Sequence, residues 1–110
     1  MALTKSTSFE DLNLRLSEFT KVLSHPARIE ILKTLAKKET CICGEIVSGL
    51  PLAQSTVSQH LKELKKHGLI NSEIDGPKSC YTINWSNLEI YFGMVQGFAN
   101  DLKKLQRHLF

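Results

Sequence analysis

The stretch QSTVSQHLKELKK, residues 54–66, decides the fold. An α-helix turns by about 100° per residue, which places Val57, Leu61 and Leu64 on one side. The residues on the opposite side are polar or cationic: Ser55, Gln59, Lys62 and Lys66, with Ser58 at the margin. We therefore predict an amphipathic helix from about Ala53 to His67, ended by Gly68, with one face buried and one exposed.

A second helix signal precedes this stretch. Residues 42–48 predict a short helix that Gly49 ends, and Leu50-Pro51-Leu52 supplies the turn that follows. Two helices joined by a short turn are typical of a helix-turn-helix, which here covers residues 42–67.

The pattern changes from helix to strand after Gly68. Residues 69–74 and 79–83 are strand-like, and Asp75-Gly76-Pro77-Lys78 between them is a strong signal for a hairpin turn. We predict a wing over residues 69–83, with Lys78 at its tip.

Two more helices are predicted on the N-terminal side. Apolar residues at helical spacing predict a first helix over residues 9–23. The sequence Ser24-His25-Pro26 breaks it and starts a second helix that runs to about Lys38, with Ser24 as the capping residue.

The last predicted helix covers residues 86–109. Its apolar residues recur at nearly heptad spacing, which suits pairing with another helix. Gly93 and Gly97 are costly inside a helix, so we expect a close helix approach there. The predicted class is mainly α with a small β-hairpin, a winged helix-turn-helix in one domain over residues 1–110, with helices 9–23 and 86–109 forming a dimer.

Composition bounds the function. The chain has 110 residues, 42% hydrophobic and 23% charged, with 14 Lys and Arg against 11 Asp and Glu, a formal net charge of +3. This mild basicity permits nucleic-acid binding without requiring it. The N-terminus has no apolar signal segment and no apolar run could span a membrane, so we expect a soluble, cytoplasmic protein. Three cysteines in a reducing cytosol predict free thiols.

The exposed face of the residue 54–66 helix has the chemistry of a DNA-reading surface. Hydroxyls and amides near a helix start can bond base edges, and lysines further along can meet phosphates. A solvated polar face is the plain alternative, and the adjacent wing favours DNA over it. We interpret His60, beside the core side, as structural. The candidate DNA contacts are Gln54, Ser55, Thr56, Ser58, Gln59, Lys62, Lys66 and Lys78.

Several segments resemble the ArsR/SmtB family of repressors. Residues 23–32, LSHPARIEIL, are similar to its second-helix signature, residues 54–64 to its recognition helix and residues 67–70 to the exit from that helix. The resemblance covers about residues 9–105 and implies a homodimer bound to palindromic double-stranded operator DNA and released by an inducer. Ala53 departs from the family, which often has a capping Ser there.

The segment ETCICGEI, residues 39–46, resembles the family's Cys-x-Cys motif for arsenic and heavy metals, with Gly44 where the usual form has Asp. Soft thiolates suit As(III), Sb(III), Cd(II) or Pb(II). Residues two apart in a helix point about 200° apart, so Cys41 and Cys43 can grip one ion only if the helix start is unwound. We hypothesise that inducer binding distorts this segment and misplaces the recognition helix.

The third ligand is left open. Cys80 lies in the predicted wing, where we expect it to pack, and a small external thiol is the alternative. The acidic and histidine residues of the last helix have unsuitable spacing for the family's other metal site. Two alternatives remain for Cys41 and Cys43, namely an oxidant or persulfide response and simple packing.

An enzyme is not expected. Cys-x-Cys without a βαβ context does not support a thiol oxidoreductase, and no cofactor is required. A dimeric module that binds protein instead of DNA is the alternative from another class.

Overall fold

The computed structural model describes residues 9–38, 49–75 and 78–109. The described residues form four helices and one hairpin, as predicted, while the predicted helix over residues 42–48 lies outside them. In chain order the elements are α1 (Asp11–Val22), α2 (Pro26–Lys38), α3 (Gln54–Lys66), β1 (Ile70–Asp75), β2 (Lys78–Ile83) and α4 (Trp85–Leu109).

The break between α1 and α2 is built differently from the prediction. The Ser24 hydroxyl donates to the carbonyl of Lys21, 2.7 Å away, and so closes α1. His25 takes the capping role instead, because its Nδ1 accepts the backbone N–H of Ala27 at 3.1 Å. The prediction that Ser24 caps the second helix was therefore wrong.

One hydrophobic core joins the helices to the hairpin. Its centre consists of side chains that every element except β2 contributes, and each is at most 4% exposed. These residues are Phe19, Val22, Ile31, Leu35, Val57, Leu61, Leu64, Leu69, Ile70 and Leu88. Strand β2 adds the partly buried Cys80, Tyr81 and Ile83.

The hairpin is a two-stranded antiparallel sheet. Its register runs from Ile70 opposite Ile83 to Asp75 opposite Lys78. The backbone N–H of Asn84 donates to the carbonyl of Leu69 at 3.0 Å and extends the pairing to the start of α4. Asp75 and Lys78 are the last pair of this register, and the predicted turn residues Gly76 and Pro77 lie outside the described residues.

Helix α3 ends in a left-handed glycine. Gly68 has φ 77°, its N–H donates to the Lys65 carbonyl, and the Leu69 N–H donates to the Leu64 carbonyl. This is the two-bond Schellman ending, in which glycine avoids the steric cost of positive φ. The Asn87 side chain of α4 then donates to the Gly68 carbonyl at 2.9 Å, so the start of α4 is fixed to the end of α3.

Helix α4 has 25 residues and is about 37 Å long at 1.5 Å per residue. Its first turns are packed, with Leu88 buried and the Tyr91 ring stacked on Phe19 at a centroid distance of 4.6 Å. Further along, α4 exposes a row of large apolar side chains, at least 39% accessible in each case: Phe92, Val95, Phe98, Leu102 and Leu105.

The glycines of α4 lie in open space. A Cβ built at Gly93 or Gly97 meets no described atom within 4 Å. The expected close helix approach is therefore not made within the described part of the chain. In the same part of the chain, no helix combines the length and apolar character that a membrane crossing requires.

Candidate nucleic-acid interface

Helix α3 has two chemically different faces. Val57, Leu61 and Leu64 are 0–1% exposed, in agreement with the stripe predicted from the helical period. His60 is buried beside them at 8% exposure. Because these four side chains hold α3 on the core, the opposite face of the helix is fixed toward solvent.

The solvent face carries the predicted DNA contacts on α3. All seven of these residues are exposed, with hydroxyls and amides in the first two turns and ammonium groups in the last two. They are Gln54, Ser55, Thr56, Ser58, Gln59, Lys62 and Lys66. At 1.5 Å per residue, Ser55 and Lys66 lie about 16 Å apart along the helix axis, and a major groove about 12 Å wide admits a helix of this kind.

The charge of this face is positive. Lys62, Lys65 and Lys66 are exposed, while Glu63 is half-buried. The Glu63 carboxylate lies 3.6 Å from Nε2 of His67, one turn further along the same helix. Glu63 is the only acidic residue of α3, and this contact keeps its charge toward the helix end, to one side of the exposed lysines.

An arginine and two histidines join α3 to the helices before it. The Arg28 guanidinium donates through Nε to Nδ1 of His60 and through Nη1 to the carbonyl of Val22, both at 3.1 Å. The His25 ring lies against the His60 ring at a centroid distance of 4.3 Å. This cluster was missed in the sequence, because the hydrogen-bonded residues Arg28 and His60 are 32 positions apart and no local pattern links them.

The protonation state of His60 follows from these neighbours. Burial, followed by the charges of His25 and Arg28, lowers the pKa of His60 below its ordinary value of 6.5. Arginine has no hydrogen-bond acceptor, so Nδ1 of His60 must hold a free lone pair and the ring proton belongs on Nε2. Nε2 is buried and finds no partner among the described residues.

The hairpin carries two of the residues singled out in the sequence, Lys78 and Cys80. Lys78 starts β2 opposite Asp75, at the turn end of the hairpin as predicted, and only its backbone is described. Cys80 is half-buried on the same strand, packs against the core and is disulfide-bonded. The packing agrees with expectation, but the expectation of a free thiol at Cys80 was wrong. Cys41 and Cys43, the two candidate inducer thiols, lie outside the described residues.

Comparisons with known proteins give a consistent result. Residues 25–72 match the family model described as bacterial regulatory protein, arsR family. The arsenical resistance operon repressor of Staphylococcus xylosus is 36% identical over 74 residues, which are 67% of this chain and 70% of the relative.

Two solved structures extend the similarity. The crystal structure of Mycobacterium tuberculosis Rv0081 is 32% identical, with a TM-score of 0.65 over 92% of this chain and 95% of that one. The solution structure of a homodimeric winged helix-turn-helix DNA-binding domain from Mycobacterium bovis is 26% identical, with a TM-score of 0.60 over 83% of this chain and 81% of that one. The fold is thus a winged helix-turn-helix.

Proposed function

The chain belongs to the arsR family of bacterial regulatory proteins, and from that premise we propose that it is a repressor that binds a palindromic DNA operator as a homodimer. Membership in the family makes it a transcriptional regulator and not an enzyme. The observation that carries the proposal is the chemistry of α3, where seven polar or cationic side chains are exposed and the apolar stripe is fully buried.

The roles of these side chains follow their position along α3. Gln59 is exposed and its amide can bond an adenine in bidentate fashion, while Ser55 and Ser58 can bond several bases. Lys62 and Lys66 meet the phosphates that fix the helix in the groove. Lys78, at the turn end of the hairpin, contacts the backbone beside the groove.

A second copy of the chain covers the apolar row of α4. Phe98, Leu102 and Leu105 are 52–61% exposed, and Leu12 on α1 is 51% exposed, which is more apolar surface than single exposed residues explain. The similar domain from Mycobacterium bovis is homodimeric. Pairing through α1 and α4 gives two copies of α3 related by a twofold axis, which is the symmetry that a palindromic operator requires.

DNA binding is tested with the duplex upstream of the chain's own gene. We expect binding that weakens steeply with salt, and Gln59→Ala should cost about 1–3 kcal/mol at one base pair and leave other positions unchanged. Gln96→Ala, an exposed glutamine on α4, is the matched control. Equal losses on all sequences would argue against base readout, and the absence of any DNA binding would favour the dimeric protein-binding module.

Release of the operator is proposed to occur through the Cys-x-Cys thiols. Cys41 and Cys43 bind As(III), Sb(III) or another soft metal ion, and this distorts the segment that leads into α3. The relative from Staphylococcus xylosus, an arsenical resistance operon repressor, supports this choice of inducer. The double variant Cys41→Ser, Cys43→Ser should bind the operator normally and no longer respond to As(III), and normal induction of that variant would eliminate the thiol model.

The disulfide at Cys80 favours a second candidate, a redox-responsive repressor. Cys41 and Cys43 are the chain's other cysteines, and we propose one of them as the partner. A peroxide supplies the oxidant: one thiolate takes an oxygen to give a sulfenic acid and hydroxide, and the second thiol displaces water to form the S–S bond. Two electrons pass to the peroxide.

One titration separates the two candidates. Operator release is followed with As(III), Cd(II), Zn(II) and peroxide in parallel, on the native chain and on Cys80→Ser. The metalloid model predicts release by As(III) in the native chain and no release by peroxide. The redox model predicts release by peroxide that dithiothreitol reverses and that Cys80→Ser abolishes.

A further inference from the structure

We propose that the hydrogen bond from Arg28 to His60 positions α3 for DNA and that it does so only while His60 is neutral, so that mild acid weakens operator binding. This inference rests on the proposed function, because it takes α3 as the DNA-binding helix. His60 is a positioning residue here, since its side chain is buried on the side of α3 that faces away from DNA.

Arg28 connects three helices, α1, α2 and α3. It belongs to α2, and its two donated hydrogen bonds reach the carbonyl of Val22 at the end of α1 and Nδ1 of His60 in the middle of α3, both at 3.1 Å. The last carbonyls of a helix have no partner within it, so the bond to Val22 satisfies a group that needs one. The position of α3 is thereby tied to both preceding helices through one side chain.

Protonation of His60 removes this connection. A proton on Nδ1 occupies the lone pair that accepts the Arg28 bond, because arginine can only donate. It also leaves an imidazolium and a guanidinium whose nitrogen atoms are 3.1 Å apart in a partly buried site. Separation of α3 from α2 relieves this repulsion, and it moves the exposed face of α3 with it.

The charged groups around His60 do not offset this repulsion. Arg28 of α2 and His25, the residue before α2, face it, and both lower its pKa. On α3 itself, Glu63 is one turn away and lies 3.6 Å from His67. From α1, Glu18 and Lys21 line the cleft beyond Arg28, together with Glu63, Lys66 and His67. From the hairpin side, the core residues Leu69 and Ile70 are apolar.

The sign of the pH effect follows from linkage. Burial and the neighbouring charges lower the pKa of His60 below 6.5, so the unfolded or displaced state takes up a proton more readily than the packed state. The packed arrangement has its full stability above pH 6.5 and loses it as the pH falls from there through the lowered pKa. General electrostatics act in the opposite direction, because added positive charge strengthens attraction to phosphates. Weaker binding in acid therefore identifies a specific effect.

The experiment measures operator affinity of the full chain by fluorescence anisotropy from pH 8 to pH 5.5 at fixed ionic strength. His60→Asn is the test variant, because its amide oxygen can accept the Arg28 bond near the position of Nδ1 and does not titrate. His67→Asn, a more exposed histidine of the same chain, is the matched control. We expect severalfold weaker binding in acid for the native chain and for His67→Asn, and a flat or rising profile for His60→Asn.

A second measurement requires no variant. The ring nitrogens of His60 are followed by NMR in the native chain, where we expect the proton on Nε2 at neutral pH and a further lowering of the pKa of His60 when DNA is bound. A native affinity that is constant or rises in acid, or an equal slope in His60→Asn, overturns this inference alone. Failure of the native chain to bind DNA at any pH overturns the proposed function as well.

Discussion

Removal of the two lysines at the end of the exposed α3 face should change the salt dependence of DNA binding in a calculable way. Lys62 and Lys66 are one turn apart and both exposed, so each can meet a separate phosphate. Each phosphate contact contributes about 0.9 to the slope of log K against log salt concentration. A dimer presents two copies, so Lys62→Ala with Lys66→Ala should make that slope less steep by about 3.5.

The same number gives the change in affinity. With a slope difference of about 3.5, the ratio of the native chain's DNA affinity to the variant's falls by roughly a hundredfold between 50 and 200 mM salt. Anisotropy titrations at four or five salt concentrations measure both slopes directly. The control is Lys103→Ala with Lys104→Ala, which removes the same charge from exposed positions on α4.

The control separates contact from general attraction. If Lys62 and Lys66 touch phosphates, the slope of the α3 variant is much less steep than that of the native chain. The slope of the α4 control then remains close to the native value. Equal slopes in the two variants would refute the assignment, because net charge alone would then explain the binding.

Four substitutions test the fold and the dimer at fixed protein concentration. Gly68→Ala should lower the free energy of unfolding by about 1–3 kcal/mol, because φ is 77° and the new Cβ lies 2.8 Å from Asn87 Nδ2. Gly93→Ala is the control and should not lower it, because Gly93 lies in open space. Ala53→Ser should raise the free energy of unfolding by about 1 kcal/mol, because α3 has no side-chain cap. Urea denaturation measures the free energy of unfolding of each of these variants. Leu102→Glu should give a folded monomer by light scattering, and a retained dimer mass would exclude α4 from the interface.

The helical stripe of α3 could be predicted because its cause is local. Val57, Leu61 and Leu64 recur with the helical period, and burial of that stripe is enough to fix which face is exposed. The left-handed ending at Gly68 is likewise a single-residue signal. The same reasoning gave the hairpin, whose observed ends lie within one residue of those predicted.

Contacts between distant residues could not be predicted in this way. The bond between Arg28 and His60 depends on how α2 packs against α3, and burial alone marked His60 as structural without naming its partner. At the start of α2, either Ser24 or His25 could supply the cap, and the Ser24 hydroxyl bonds back to α1 while His25 accepts from Ala27. The disulfide state of Cys80 was also missed, because composition alone favoured a free thiol.

The two ends of α3 are held with unequal strength, and this bears on the proposed release. The C-terminal end has the Gly68 Schellman bonds and the Asn87 contact, and it carries the lysines. The N-terminal end starts at Ala53 without a side-chain cap, and it carries the residues proposed to read bases. We propose that inducer binding in residues 39–48 acts first on this weaker end, which is the end of α3 nearer to them in the chain. On that proposal, the residues that read bases are displaced before the lysines that meet phosphates, so an inducer need not displace the whole helix to release the operator.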